Sequence, residues 1–272
     1  MSRLPQMESN MYFGNDLSIY REIPVSVDDF INDSHYIGEY TKNGSNVFQF
    51  WRDVLNTVFM HDRERKVVIA STGYSTGKTE FCNIALAYSL YLVMCLDNPS
   101  VFFKCPENDP LTFVLCDIDY IQYNTIFDIL KRSPWFNLHG VLNRNMYDTD
   151  KDIYTSLDKN IILTEVRCDD DMLGKNIFTG AFIWTQVSDK EDQASKLYLH
   201  LMRRVETRTT INGNQYGYVF VDIEKGFGKE IRDYQWFPYT NKYRVIDDSS
   251  YDTRIVPDVM SGVRYKGRFG VF

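Results

Sequence analysis

Residues 70–81 read ASTGYSTGKTEF, and the reading of the whole chain turns on that stretch. Ahead of it, VVIAS at 67–71 is a short apolar, β-branched run bounded by the charged HDRERK; behind it, FCNIALAYSLYLVMCL at 81–96 is almost continuously apolar. A buried strand, a glycine turn and a long helix in that order predict a phosphate cradle. Unpaired N–H groups and the dipole at a helix N-terminus attract anions, and small residues let the backbone approach them. The usual spacing puts a glycine six residues before the lysine, where this chain has Thr72; its glycine is Gly73. Nucleotide contacts are therefore expected from Gly73, Tyr74, Ser75, Thr76, Gly77, Lys78 and Thr79. Lys78 would reach the β- and γ-phosphates of ATP, and the Thr79 hydroxyl would take one position on Mg²⁺. The competing reading is a plain glycine turn joining strand to helix.

Working outward, IPVSVDDFINDSHYIG (23–38) offers Ser26 as a helix cap, Phe30 and Ile31 as an apolar side, and Gly38 as a stop. In VFQFWRDVLNTVF (47–59), Phe48, Trp51, Val54, Leu55, Val58 and Phe59 recur at helical spacing. LTFVLCDID (111–119), KNIILTEV (159–166), NIFTGAFIW (176–184) and YGYVFVDIE (216–224) read as buried strands, the last closing the series. YIQYNTIFDILKRSPWF (120–136) reads as a helix ended by Pro134, and DQASKLYLHLMRRVETR (192–208) as an amphipathic helix through Ala194, Leu197, Leu201 and Val205. The expectation is an α/β P-loop NTPase fold, with a mainly parallel sheet and helices on both faces. Residues 1–22 are polar and aperiodic and are expected to form a loosely held arm; residues 23–272 form the domain. Residues 81–96 fall short of the roughly 20 apolar residues of a bilayer span, so a core helix is expected there and no membrane.

Composition excludes some classes. Lys+Arg 30 against Asp+Glu 37 leaves a net charge of −7, so no global positive field draws the chain onto nucleic acid, and any DNA contact must be local. The five cysteines form no CxxC pair, which suits a reducing, cytoplasmic compartment and free thiols rather than a zinc site. His35, His61, His139 and His200 show no ligand spacing. A triphosphatase also needs a carboxylate at the end of a strand near the loop. FVLCDID offers Asp117 and Asp119, YVFVDIE offers Asp222 and Glu224, and the residues alone do not choose between them.

Taken in order, VSVDDFINDSHYIGE, NVFQFWRDVLNTVF, GYSTGKTEF, YIQYNTIFDILKRSPWF, LGKNIFTGAFI, ASKLYLHLMRRVETR and NGNQYGYVFV resemble the ATPase domain of the large terminase subunits of tailed bacteriophages. The resemblance spans about residues 24–272 and implies the P-loop subclass with an added strand (ASCE type). Function is implied too: ATP- and Mg²⁺-dependent translocation of double-stranded DNA into a procapsid, by a homo-oligomeric ring working with a portal protein and a small terminase subunit in the infected host cell. The family's nuclease domain would begin about where this chain ends, so no DNA cleavage is expected.

Departures accompany the matches. The acid pair expected after GAFI is replaced by Trp184 and Thr185, and an arginine expected four residues before the lysine is Tyr74. Impaired hydrolysis, or a site recruiting other groups, follows; a nucleotide-binding structural or regulatory subunit is the alternative. The strand order implied by the resemblance favours Asp222 over Asp117 as the Mg²⁺ ligand, with Glu224, Asp189, Glu191 or Asp192 near the water. It also points to Gln49 and Trp51 for adenine, although their spacing equally explains Trp51 and Phe48 as core. Arg203 and Arg204 would face phosphate, a neighbouring subunit or solvent.

Overall fold

The β-branched run ahead of the glycine turn forms strand β1 (Val67–Thr72) of an eight-stranded sheet. In the computed structural model the described residues are 12–14, 16–61, 66–72, 77–106, 109–117, 125–144, 152–166, 176–184, 200–201, 203–224 and 243–247. The other strands are β2 (Leu111–Asp117), β3 (Gly140–Arg144), β4 (Asp152–Ser156), β5 (Ile161–Val166), β6 (Asn176–Trp184), β9 (Val219–Glu224) and β10 (Tyr243–Asp247); β7 (Thr210–Ile211) and β8 (Asn214–Gln215) pair as a separate hairpin. The sheet order is β10-β1-β9-β6-β2-β5-β4-β3. Every pairing from β10 to β5 is parallel, β4 adds antiparallel to β5, and β3 adds antiparallel to β4. This is an α/β P-loop fold in which β9 is inserted between β1 and β6.

Helix α4 (Lys78–Met94) follows the turn and is buried nearly all round, because it lies between the sheet and a further helical layer. Phe81 meets Phe220 of β9 edge-on, ring centroids 6.1 Å apart, and Tyr88 and Tyr91 pack on Phe30 of α1 (Val27–Asn32). Around α4 stand α2 (Gly38–Thr41), α3 (Gln49–Asn56) and α6 (Thr125–Arg132), with α5 (Pro99–Phe102) and α7 (Pro134–His139) at the periphery. The opposite face is covered by the helical run 203–209 and the adjoining Leu201. A Cβ on Gly180 of β6 would come within 2.6 Å of Leu201, so the missing side chain lets this cover lie close on the strand. No helix among the described residues is long and apolar enough to cross a membrane.

Several local expectations need correction. The Ser26 cap is present, its hydroxyl accepting from Asp29 N at 3.0 Å, but the helix ends at Asn32 instead of Gly38. Asp33 is extended and its carboxylate accepts from His35 N at 2.8 Å, a local bond that competes with helix continuation. Gly38 opens α2 rather than closing α1. Pro134 does follow a helix end, α6 closing at Arg132, and it also begins an element: Ser133 caps α7 and Pro134 occupies its first turn, where no N–H is needed. Strand β9 does not close the series, since β10 adds beyond it on the outer side of β1. Of the expected loose arm, Tyr12, Phe13 and Tyr20 are buried, and the Tyr12 hydroxyl donates to Tyr216 O at 2.6 Å. Three aromatic rings in one short segment hold it against the core.

Candidate functional site

Gly77 caps the N-terminus of α4 with φ 82 and ψ 17, a left-handed conformation natural to glycine. A Cβ there would stand 3.2 Å from the Phe48 ring and 3.3 Å from Trp51 Nε1, so the start of α3 props the turn from one side. Gly73, Tyr74, Ser75 and Thr76 lie outside the described residues. The first turn of α4 leaves its amides without helical partners, and such groups are the kind that take an anion.

Beside that turn, the register of the sheet brings in a carboxylate. Strand β9 runs parallel to β1 with Ala70 opposite Asp222, so Asp222 stands near the C-terminal end of its strand, under the start of α4. Alternation puts it on the same face as Phe220, the face α4 covers. Asp222 is wholly buried and Lys78 is 7% exposed. The Thr79 hydroxyl donates to Asp222 Oδ2 at 2.5 Å, and Lys78 Nζ lies 3.9 Å from Oδ1. A carboxylate this deep is tolerable only when hydrogen-bonded and paired, and these two neighbours supply both. Two hard oxygen donors in contact are a fitting ligand set for Mg²⁺. Thr79 and Asp222 would hold that ion, with Lys78 then free to turn to phosphate.

Two titratable groups flank this centre. Burial pushes the Cys82 thiol well up, Asp222 adds to the shift and Lys78 opposes it, so Cys82 is a neutral thiol and no nucleophile. Burial likewise raises the Glu80 carboxyl, against a hydrogen bond from the Tyr40 hydroxyl at 3.0 Å. The Tyr40 ring in turn carries the Arg132 guanidinium 5.8 Å from its centre. Neither Tyr40 nor Arg132 had a signal in the sequence, because α2 and α6 are brought to the loop helix only by packing.

The remaining candidates are spread out. Glu224 sits opposite Thr72 in the register, and Asp117 ends β2, on the far side of β6 from β9; their side chains are outside the described residues, as are Asp119, Thr185, Asp189, Glu191 and Asp192. Trp184 ends β6 opposite Ile223. Trp51 is 2% exposed and stacked on Phe81 at 4.7 Å, so the face that would have taken a base is used for packing. Gln49 is exposed, its amide donating to Asp53 at 2.8 Å. Arg203 is exposed and Arg204 half-buried on the opposite cover. A cavity of about 660 Å³, lined by Tyr12, Phe13, Lys66, Glu206 and Tyr216 among others, opens at the other ends of β1 and β9, away from the loop.

With this geometry in hand, comparison with known proteins adds a family. The model described as "Uncharacterized protein MJ0330, N-terminal P-loop domain" matches residues 7–221. No curated protein matches. Among solved structures the chain is similar to the large terminase of a thermophilic bacteriophage, at 11% identity and a TM-score of 0.42, over 82% of this chain and 51% of that one. The chain thus spans about half the length of that protein.

Proposed function

The chain belongs to the family of the MJ0330 N-terminal P-loop domain, a membership that supports nucleotide binding, and we propose that it binds and hydrolyses ATP with Mg²⁺ as the motor domain of a DNA-packaging terminase large subunit. The observation that carries the nucleotide half is the contact of half-buried Thr79 with buried Asp222, 2.5 Å, beside Lys78. A hydroxyl, a carboxylate and an ammonium around the amides of a helix N-terminus are the parts that hold a metal–triphosphate. The chemistry that Mg²⁺ would supply there is neutralisation of the charge developing on phosphate oxygens. Thr79 and Asp222 would hold the ion, Lys78 would turn from Asp222 to the β- and γ-phosphates, and the exposed amide of Gln49 would meet the base.

The packaging half is supported by the ordered blocks that resemble the phage family; the insertion of β9 between β1 and β6 agrees with the P-loop subclass that resemblance implied. Duplex DNA, portal and small terminase subunit are the partners this reading entails, with a ring of identical subunits as the working form.

A second reading is favoured by Trp184 at the end of β6, where the family would have its acid pair: the chain would bind nucleotide without turning it over, as a structural or regulatory subunit. Phosphate release with and without duplex DNA separates the two. The motor reading expects Mg²⁺-dependent release stimulated by DNA, lowered roughly 100-fold or more in Asp222→Asn and abolished in Lys78→Ala. Binding without release in the wild-type chain would establish the second reading, and neither would sink both.

A further inference from the structure

Asn83 interrupts the apolar surface of α4 and is 1% exposed. Its Nδ2 donates to the main-chain carbonyl of Thr79 at 2.9 Å, which carries the amide head back to the level of the first helical turn. That carbonyl already lies within the helical ladder, so the helix does not need the extra bond. The other end of the amide, Oδ1, is buried and has no hydrogen-bond partner. Buried acceptors are nearly always satisfied, and one that is not points to a water or ion that completes it. An apolar side chain would serve better at a purely structural position here.

The geometry points to Asn83 as a positioning residue for the magnesium site, its Oδ1 accepting a hydrogen bond from a water of the cation's hydration shell. The inference rests on the nucleotide reading above. Mg²⁺ gives up its waters reluctantly and is held by few protein ligands, so its remaining waters need acceptors around them. Asn83 lies one turn beyond Thr79 on the same side of α4, with its amide nitrogen on the Thr79 carbonyl, and Thr79 is the residue whose hydroxyl meets Asp222. An amide oxygen accepts without adding a second negative charge beside Asp222. Acceptors of this outer kind fix the orientation of the inner ligands and tune metal affinity.

Thermal unfolding of the full chain tests this in three conditions: EDTA alone, EDTA with a non-hydrolysable ATP analogue, and the analogue with increasing MgCl₂. Asn83→Leu is expected to unfold at or above the wild-type temperature in EDTA and to keep the analogue's shift. The MgCl₂ needed for half of the metal increment should rise about tenfold. Asn83→Ser, whose hydroxyl can donate to the Thr79 carbonyl and accept from a water without adding charge, should retain the wild-type midpoint. A wild-type chain that ignores the analogue in every condition removes the nucleotide reading itself. An analogue shift with an unchanged MgCl₂ midpoint in Asn83→Leu removes this inference alone. So does failure of Asn83→Leu to fold, or an equal rise in both variants, since either outcome assigns the side chain to the helix rather than to the metal.

Discussion

Glu80 illustrates how much a single residue can carry beside a phosphate loop. It occupies the first turn of α4, where a negative charge suits the helix dipole, yet burial raises its carboxyl from the ordinary value of 4.5 and only the Tyr40 hydroxyl opposes the shift. A carboxyl raised on folding favours the folded state most when protonated. Its contribution is complete below pH 4.5 and is lost as pH rises through the folded value. Glu80→Gln keeps the Tyr40 bond and removes the charge. The variant is therefore expected to melt above the wild type at pH 7–8, with the difference shrinking toward pH 4.5; a constant difference across that range would show that the carboxyl does not shift. Asp222, by contrast, is buried with its partners supplied, and its placement depends on nothing more local than the register of β9 against β1.

Among elements, the contact of β6 with its outer cover sets a tight tolerance. Gly180 lies under Leu201 and beside Val114, both fully buried, and an added Cβ would stand 2.6 Å and 3.0 Å from their methyl groups. Overpacking of this kind forces side chains off their rotamers or lifts the helix. Gly180→Ala should lower the stability to urea by about 1–3 kcal/mol, an effect read from the unfolding midpoint at constant slope. The same strand leads to Trp184, so any lift of the cover would also be felt at the loop end of the sheet. Helix α4 shows the opposite economy. Lys159 donates to the carbonyls of Leu96 at 2.5 Å and Asp97 at 3.0 Å just beyond its end, supplying a cation where the helix dipole favours one.

Over the whole molecule, the early segment acts as a clasp. Tyr12 reaches across the chain to the Tyr216 carbonyl, and its ring sits 6.2 Å from Phe59 and 6.0 Å from Tyr218, joining the lead-in to β9 with the helical layer around α3. Lys66, at the foot of β1, approaches the same hydroxyl at 3.4 Å and lies 4.2 Å over the Tyr218 ring. Tyr12→Ala is expected to cost about 3 kcal/mol of unfolding free energy, and Tyr12→Phe about 1 kcal/mol. A neutral result for the alanine variant would mean that the segment is peripheral to the cooperative unit. The clasp is far from the loop, so both variants should keep whatever nucleotide shift the wild type shows.

The sequence by itself determined the elements whose signals are local: the β1–turn–α4 unit, the buried strands β2, β5, β6 and β9, and the Ser26 cap. Each depends on periodicity, β-branching or a side chain bonding its own backbone within a few residues. A local signal also exists for β7 and β8, where Asn212-Gly213 makes a left-handed hairpin turn, φ 52 and 84. Edge strand β10, paired with β1, and the fastening of Tyr12 needed partners distant in the chain. The residues alone left Asp117 and Asp222 equal, the resemblance favoured Asp222, and the tertiary structure brings Asp222 onto Thr79. Two strand-end acids look alike in one dimension, and only the order β1-β9-β6-β2 decides which stands beneath the helix that carries the lysine. The same holds for Trp51, whose spacing suits core and ligand equally until Phe81 is seen covering its face.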